Sequence, residues 1–458
     1  MEIMLKYKEM SFSISSAHWL HEGAAALVLL AILALLELMG RMKHRKVHYV
    51  FAFFLGTALS IGLVNVTGLL MGSPMQQNPY VMALAIVVLY AAWKLLFGPW
   101  DSETKAAVLG TFIFWIAFSM LFRESYTERL AHLLAAAVAI IPAFIWCKLF
   151  LQYHRERLSV VLLMFFSGML STVPILFYDA LVRGQVEFHF FFVRVVPESF
   201  SRTAESFVLG QLLSAPGLRT TLLTMMLSYF FVGLIEEVSK YWMLKQNGVP
   251  FCRSIADCVE LAIIVAIGFA FAENVSNPTY FVSFVKQYLL NPEHRDWAAF
   301  FGNVVGRSVL TTMVHVVSTG IVGYCAGLAL FATPYMKDTE KLGAHHRIAD
   351  ALHVLLRIDR TVIFRVQMLL IGLVVGSCLH AFSNFLVTLP DVLPGNPRTL
   401  GALFGSSPDS PLHYFSLLLF PSLLYVVGGF WFLTGLFMSR ENEKEMPRGN
   451  IDAECVAA

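Results

Sequence analysis

Residues 231–244 read FVGLIEEVSKYWML, an apolar stretch that contains two adjacent glutamates and a lysine. The apolar side chains are typical of a membrane-spanning helix, yet a charge at the centre of such a helix costs about 2.5–3.5 kcal/mol on insertion scales. Glu236 and Lys240 are four residues apart, so they share one helix face in the favourable order. Glu237 lies about 100° around the helix. We therefore expect these charges to face a polar interior, and a helix end at the membrane surface is the alternative.

The rest of the chain has the composition of a polytopic membrane protein. Of its 458 residues, 57% are hydrophobic and 14% are charged, and the mean hydropathy is +0.67. Soluble domains carry about 25% charged residues. The deficit extends along almost the whole length, which argues against a soluble domain with a single anchor. The net charge of +2 gives no indication of a nucleic-acid partner, and we expect none.

Runs of about 20 apolar residues predict roughly eleven transmembrane helices in an all-α fold. The predicted spans are 22–40, 49–72, 80–98, 106–122, 131–150, 159–182, 221–243, 257–277, 308–332, 364–389 and 412–438. The shorter segment 203–218 contains Pro216 and is predicted to be interfacial or re-entrant. Lys and Arg concentrate in the loops of one side, which predicts an outside N-terminus and a cytoplasmic C-terminus. The loop from Lys337 to Arg365 has apolar residues at helical spacing and predicts a cytoplasmic amphipathic helix.

Each of the three long apolar segments that follow carries a pair of polar residues. These pairs are Glu273 with Asn274, Arg307 with His315, and His380 with Asn384. One pair alone fits a helix end or a helix–helix hydrogen bond, but four such segments can converge on one site. We therefore predict a catalytic bundle of four helices in the C-terminal half. Ideal straight spans put Glu236 toward the cytoplasmic end and Glu273 and His380 toward the outer end, so the helices must be tilted, broken or shifted.

This combination of acids, imidazoles and an amide suits the activation of a water molecule. A glutamate can take the proton while a histidine or an asparagine stabilises the developing oxyanion. Alternatively, the acids and histidines bind a divalent metal, with Zn²⁺ as the expected ion, which lowers the pKa of its bound water. Either route hydrolyses an amide.

Two alternative functions that do not involve hydrolysis remain open. Intramembrane acids and histidines also mark proton relays, so the alternative function is a proton-coupled membrane transporter. Transporters often show two related halves with broken helices in matching positions, whereas the polar groups here lie in one half of the chain. The second alternative is a non-enzymatic membrane scaffold.

As a set, four blocks of sequence resemble the PrsW family of intramembrane proteases, which belongs to the superfamily of CAAX-prenyl proteases. The blocks are Glu236-Glu237-x-x-Lys240 (EExxK in the family), Phe269-x-x-x-Glu273-Asn274 (FxxxEN), Arg307 with His315, and His380 with Asn384. They cover about 221–389, and the first six predicted helices have no counterpart in the resemblance. The four motifs together are specific, and any one alone is weak.

The resemblance implies regulated cleavage of membrane-anchored proteins, such as anti-sigma factors, in a bacterial cytoplasmic membrane. It implies that Glu236 is the general base and that Glu237 orients it or shares the proton. His315, His380 and Asn384 would hold the water and the oxyanion. The family is often described as metallopeptidases, while related enzymes look like proteases with glutamate-activated water, and we favour the second mechanism.

The resemblance also implies supporting residues and a division of the chain. Lys240 and Arg307 would supply supporting charges, and Glu273 with Asn274 would orient a histidine. If a metal is bound, its expected ligands are Glu237, Glu273, His315 and His380. The expected division is 1–200 for N-terminal membrane helices of unknown role, 201–390 for the protease core, 391–438 for the final transmembrane helix and 439–458 for a disordered cytoplasmic tail.

Overall fold

Almost all of the described part of the protein is helical in the computed structural model. The described residues are 49–71, 87, 90–122, 125–152, 156–176, 178, 188–190, 193–195, 218–276, 281–290, 293, 297–393 and 395–440. Several predictions fall outside them in whole or in part: the span 22–40, about half of the span 80–98, nearly all of the segment 203–218 and the tail after residue 440.

Besides a helical stretch over 90–96, the first half of the chain contains four helices with described bounds and one short β-hairpin. These are α1 (Tyr49–Met71), α2 (Ser102–Phe122), α3 (Tyr126–Phe150), α4 (Leu158–Leu170), β1 (Phe188–Phe190) and β2 (Val193–Val195). The two strands are antiparallel, with Phe188 opposite Val195.

The second half is helical in its described residues. Its α-helices are α5 (Leu218–Met243), α6 (Ile255–Ser276), α7 (Phe281–Leu290), α8 (Trp297–Val305), α9 (Thr312–Leu330), α10 (Ala332–Lys341), α11 (Arg347–Leu356), α12 (Arg360–Val392), α13 (Leu400–Leu403), α14 (Leu419–Ser422) and α15 (Gly429–Arg440). Segments of π-helix lie at Leu244–Gly248, Gly306–Thr311 and Leu423–Gly428, and 3₁₀ turns lie at Val249–Phe251 and Pro411–Tyr414.

Six helices are long and apolar enough to cross a membrane. They are Tyr126–Phe150, Leu158–Leu176, Ile255–Ser276, Phe300–Leu330, Arg360–Pro390 and Leu419–Leu436, and they match six of the predicted spans. Three further predicted spans coincide with α1, α2 and α5. Helix α5 has 26 residues, but its second half carries Glu236, Glu237 and Lys240, which lower its hydropathy. The protein is an integral membrane protein with six candidate spans among its described residues, and the predicted total of eleven is not confirmed.

The contacts divide the chain into two compact units, Met1–Met120 and Leu121–Ala458. In the first unit, the ring of Phe51 lies 5.1 Å from that of Trp100. The second unit contains the four helices that carry the predicted polar residues. There, α6 is the central helix, because almost every side chain from Ile255 to Ala272 is buried.

Glycines allow the helices of the second unit to pack closely. A Cβ atom on Gly168 of α4 would lie 2.2 Å from the Val265 carbonyl oxygen of α6, and one on Gly268 would lie 2.2 Å from the Phe165 carbonyl oxygen. Such small residues let membrane helices approach backbone to backbone. Gly233 serves the same purpose between α5 and α12, where a Cβ would lie 3.3 Å from that of His380.

The depth mismatch expected for Glu236 is resolved by a continuation of α5. The helical path continues past Met243 through the π-helix Leu244–Gly248 and the 3₁₀ turn Val249–Phe251. These eight or so extra residues add roughly 10 Å between Glu236 and the end of the helical path. Glu236 consequently reaches the level of Glu273 and His380, as the contacts below demonstrate.

The loop between α9 and α12 forms two short helices instead of one. Helix α10 follows α9 directly, and a turn at Gly343, with φ of +86°, separates it from α11. Asp359 then caps α12, since its side chain accepts hydrogen bonds from the amides of Thr361 and Val362. The amphipathic helix predicted in this loop corresponds to α11.

Candidate active site

The two glutamates and the lysine of α5 lie in the interior of the helical core. Glu236, Glu237 and Lys240 have relative exposures of 4%, 0% and 0%. Lys240 Nζ lies 2.8 Å from Glu237 Oε1 and 3.6 Å from Glu236 Oε2. The tighter pair therefore joins Lys240 to Glu237, whereas the sequence spacing favoured Glu236. One ammonium group compensates two carboxylates that are shielded from solvent.

His315 of α9 links this lysine to the glutamate of α6. Its Nδ1 atom lies 3.0 Å from Lys240 Nζ, and its Nε2 atom lies 3.1 Å from Glu273 Oε2. Because an ammonium group can only donate, Nδ1 accepts, and we assign the ring proton to Nε2, which donates to Glu273. The ring of Phe269 lies below, with its centroid 4.1 Å from Lys240 Nζ. Both nitrogens of His315 are thus engaged.

His380 of α12 lies against both glutamates of α5. Its Nε2 atom is 3.4 Å from Glu236 Oε2 and its Nδ1 atom is 3.3 Å from Glu237 Oε1. The His315 and His380 rings are 4.8 Å apart at their centroids. Helices α5, α6, α9 and α12 therefore bring both predicted histidines and all three predicted glutamates into one cluster.

One carboxylate oxygen of Glu236 has no hydrogen-bond partner among the described residues and is called the open oxygen below. Its Oε2 atom is buried and accepts no well-aligned hydrogen bond from the described residues, although His380 Nε2 and Lys240 Nζ are nearby. A buried acceptor without a donor is costly in free energy. The atom is therefore poised to accept a proton or to bind a cation.

Glu273 and Arg307 form the more exposed edge of the cluster. Arg307 Nη2 lies 3.1 Å from Glu273 Oε2, and these side chains retain 15% and 18% exposure. Arg307 Nε also donates to Asn274 Oδ1 at 2.6 Å. All three supporting residues predicted from the sequence, Lys240, Asn274 and Arg307, thus contact members of the cluster or one another.

Arg307 is carried by an irregular segment of helix. It lies in the π-helix Gly306–Thr311, and such segments are frequent at functional sites. Trp146 of α3 donates its indole N–H to the Ser308 carbonyl oxygen at 2.8 Å. The contact attaches α3, which precedes the four motifs, to the segment that positions Arg307.

Thr319 is a member of the cluster that the sequence reasoning missed. Its hydroxyl donates to Glu237 Oε2 at 2.8 Å, and the residue is 1% exposed. Thr319 follows His315 by four residues, so both lie on one face of α9. That spacing was the available signal. With Lys240 on Oε1 and Thr319 on Oε2, both oxygens of Glu237 are bound.

Asn384 is the predicted residue that makes no hydrogen bond to the cluster among the described side chains. It lies one turn beyond His380 on α12, where its backbone oxygen accepts a hydrogen bond from the Thr388 hydroxyl. Thr388 in turn contacts the Tyr229 hydroxyl of α5 at 2.8 Å. Asn384 therefore flanks the cluster on the same helix face as His380.

The donor atoms of the cluster fit a divalent metal ion. Among the described residues, Glu236, His315 and His380 offer ligand atoms that all lie within 4.8 Å of one another. One glutamate with two imidazoles is a ligand set used for zinc, and Glu236 Oε2 is the oxygen left open. Lys240 Nζ lies 3.0 Å from His315 Nδ1, so an ion and the ammonium group would compete for that nitrogen.

This group differs in part from the ligand set expected from the sequence. The two sets share His315 and His380, but Glu236 stands in the place of the expected Glu237 and Glu273. Glu237 is bound by Lys240 and Thr319. Glu273 is bound by Arg307 and His315.

Comparison with known protein families shows a match to the central part of the chain. The family model described as PrsW family intramembrane metalloprotease matches residues 156–404, which is more than half of the chain and contains every residue of the cluster. No curated protein and no solved structure matches. The match supports a protease and does not favour the transporter alternative. The chain, with its buried glutamates and histidines inside the matched region, belongs to the PrsW family of intramembrane metalloproteases.

Proposed function

We propose that this protein is an intramembrane endopeptidase that cleaves membrane-anchored proteins with a water molecule activated by Glu236. The observation that carries the proposal is the open Oε2 atom of Glu236, buried among two imidazoles and one ammonium group. A general base must have a free acceptor within hydrogen-bond reach of the water. Glu237, whose oxygens are both bound, lacks one.

In this mechanism the Glu236 carboxylate takes a proton from water as the water oxygen attacks the carbonyl carbon of the scissile amide. The C–N bond then breaks, and the proton passes to the departing amine. His380, the imidazole nearest to Glu236 Oε2, would stabilise the oxyanion together with Asn384 one turn away. Positioned donors of this kind are typically worth about 10²–10³-fold in rate.

The remaining side chains would hold Glu236 and His380 in place. Glu237 is fixed by Lys240 and Thr319 and contacts His380 Nδ1, so it orients the imidazole. His315, held between Lys240 and Glu273, would help to position the water. Arg307 would hold the Glu273 carboxylate in place at the edge of the site.

If a metal ion is bound, Glu236, His315 and His380 would hold it. A zinc ion there would lower the pKa of its bound water and polarise the scissile carbonyl. Glu237 and Thr319 would keep their positions around the ligands, while Lys240 would give up its contact with His315 Nδ1. We favour glutamate-activated water, because Lys240 already supplies a cation beside His315 Nδ1.

We further propose the cellular setting that the sequence suggests. The substrate is a membrane-anchored protein, for example an anti-sigma factor, in a bacterial cytoplasmic membrane. The N-terminus lies outside and the C-terminus in the cytoplasm. Residues 201–390 would form the protease core, while the helices within 1–200 contribute contacts such as the one from Trp146 to Ser308.

The test is cleavage of a panel of single-span membrane proteins by the purified protein in liposomes, with and without a strong chelator. Glu260→Gln is the matched control, because Glu260 is a fully buried glutamate of α6 that makes no hydrogen bond within the described residues. We expect cleavage by wild type and Glu260→Gln but not by Glu236→Gln. Cleavage by Glu236→Gln would refute the proposed base. Loss of wild-type cleavage on chelation, restored by Zn²⁺, would replace glutamate activation with metal activation.

A further inference from the structure

The hairpin of α10 and α11, residues 332–356, has a surface that the proposed chemistry does not use. It connects α9, which carries His315, to α12, which carries His380. Large apolar side chains on and beside it are exposed: Leu342, Ile348, Val354, Leu355, Leu356 and Ile358. Exposed apolar surface of this extent next to a membrane protein's spanning helices calls for a partner.

The packing of the inner face of the hairpin against α12 indicates where the hairpin lies relative to the membrane. Ala349 of α11 is 1% exposed and packs with Ile363 and Phe364 of α12. Helix α12 begins at Arg360, so these contacts involve its first two turns. Helix α11 therefore lies beside the start of an apolar span, at the level where that span leaves the membrane.

The outer face of α11 carries an apolar stripe. Ile348 and Leu355 are 57% and 76% exposed, and residues seven positions apart lie on nearly the same face of a helix. Leu352 lies between them and is partly packed against the hairpin core. Val354 is also exposed but points to another face, because it precedes Leu355 by one residue, or about 100°.

Ion pairs clamp the hairpin and leave positive charge at its ends. Arg360 Nη2 lies 2.8 Å from Glu340 Oε1 and 2.6 Å from Asp350 Oδ1, which ties α10 and α11 to the start of α12. Arg347 and Arg357, at the two ends of α11, form no ion pair with the described residues. Arg360 thus engages both carboxylates, while the arginines at either end of the stripe contact no acidic group among the described residues.

We propose that α11 lies in the membrane–water interface, with Ile348, Leu352 and Leu355 among the acyl chains and with Arg347 and Arg357 bound to anionic phospholipid headgroups. Helices with one apolar face and basic flanks bind membrane surfaces in this way, and their binding depends on lipid charge. The partner is a lipid surface because α11 packs beside the start of the apolar span α12, where Val362 and Val366 are also exposed.

The test uses the full-length protein in nanodiscs with an environment-sensitive fluorophore on a single introduced cysteine. Leu355→Cys is the reporter, and Val354→Cys is the matched control on the other face. Cys378 and Cys455 are replaced by alanine, and the parent without an added cysteine measures labelling of the four remaining cysteines, of which Cys147 is partly exposed. Nanodiscs contain either zwitterionic lipid alone or an added anionic lipid, each with and without a nitroxide-bearing lipid.

We expect blue-shifted emission that the nitroxide lipid quenches at position 355, and solvent-like, unquenched emission at 354. Anionic lipid should increase the quenching at 355. Replacing Arg347 and Arg357 with glutamate should abolish that increase, while lysine at both positions should preserve it. Solvent-like emission at 355 would overturn the proposal. Blue-shifted emission without quenching would do so too, because a protein segment would then cover the stripe. Neither readout requires protease activity.

Discussion

Lys240 and Glu237 form a fully buried ion pair, with Nζ 2.8 Å from Oε1 and both side chains at 0% exposure. A buried pair of this kind contributes little net stability as a unit, but the loss of one partner leaves a charge in a low-dielectric interior. Two residues of α9 contact this pair: His315 Nδ1 lies beside Lys240 Nζ, and the Thr319 hydroxyl donates to Glu237 Oε2. The charge balance of the site therefore depends on residues from two helices.

Replacing Lys240 alone should destabilise the protein strongly. We expect Lys240→Met to lower the free energy of unfolding by about 3–5 kcal/mol, because Glu237 would remain buried without its cation. The double variant Lys240→Met/Glu237→Gln should regain much of that loss yet remain inactive. Unfolding in mixed micelles measures the free energy, and peptide cleavage measures activity. Equal destabilisation in the single and double variants would show that the two charges are not coupled.

The Thr319 hydroxyl should matter for both stability and rate. Thr319→Val keeps the shape but removes the donor to Glu237 Oε2, which should cost about 1–3 kcal/mol of stability. Cleavage should slow as well, since Glu237 contacts His380 Nδ1 and orients the imidazole in the proposed mechanism. Thr319→Ser retains a hydroxyl and should behave almost as wild type. If the valine and serine variants were indistinguishable in unfolding and cleavage assays, the hydrogen bond would have no role.

Gly233 should be sensitive to a single added methyl group. In Gly233→Ala the new Cβ would lie 3.0 Å from the Ser377 carbonyl oxygen and 3.3 Å from His380 Cβ, so α12 must shift. A misplacement near 1 Å can cost about 10²-fold in rate, and a shift of a few tenths of an ångström should cost less. Gly302→Ala is the control, because no atom lies within 4 Å of its added Cβ. Wild-type cleavage rates in both variants would argue against this positioning.

Trp146 should influence catalysis from outside the four motifs. Trp146→Phe removes the donor to the Ser308 carbonyl oxygen in the π-helix that carries Arg307, and we expect cleavage to slow several-fold while the fold persists. Trp115→Phe is the matched control, since the Trp115 indole N–H makes no hydrogen bond within the described residues. The comparison is made by cleavage rate at matched amounts of folded protein. Equal cleavage rates in both variants would show that the contact from α3 does not influence catalysis.

The sequence was sufficient to locate nine helices of the described residues and most of the cluster. Polar residues at i, i+4 spacing in apolar segments identified Glu236, Lys240 and His380, with Glu237 adjacent, because burial of such groups in a membrane needs a reason. The family match over 156–404 confirms the resemblance that these residues carried. The assignment of catalytic roles remains a prediction.

Other features could not be derived from local spacing. The choice of Glu237 over Glu236 as the nearer partner of Lys240 depends on side-chain rotamers and on Thr319, which is 82 residues away. The level of Glu236 depends on the π-helix and 3₁₀ turn after Met243, and an ideal-helix estimate does not include them. The lack of a hydrogen-bond partner for Glu236 Oε2 follows from packing among four helices.

The role of Glu236 as the general base is tested most directly by measuring substrate binding and cleavage together in Glu236→Gln. One purified single-span substrate is mixed with wild type or variant in nanodiscs, and crosslinked complex and cleaved product are quantified in the same sample. We expect Glu236→Gln to bind the substrate as wild type does, while cleavage falls by about 10²–10⁴-fold, the usual contribution of a general base. Cleavage within a few-fold of wild type, or a loss of cleavage explained entirely by a loss of binding, would contradict it.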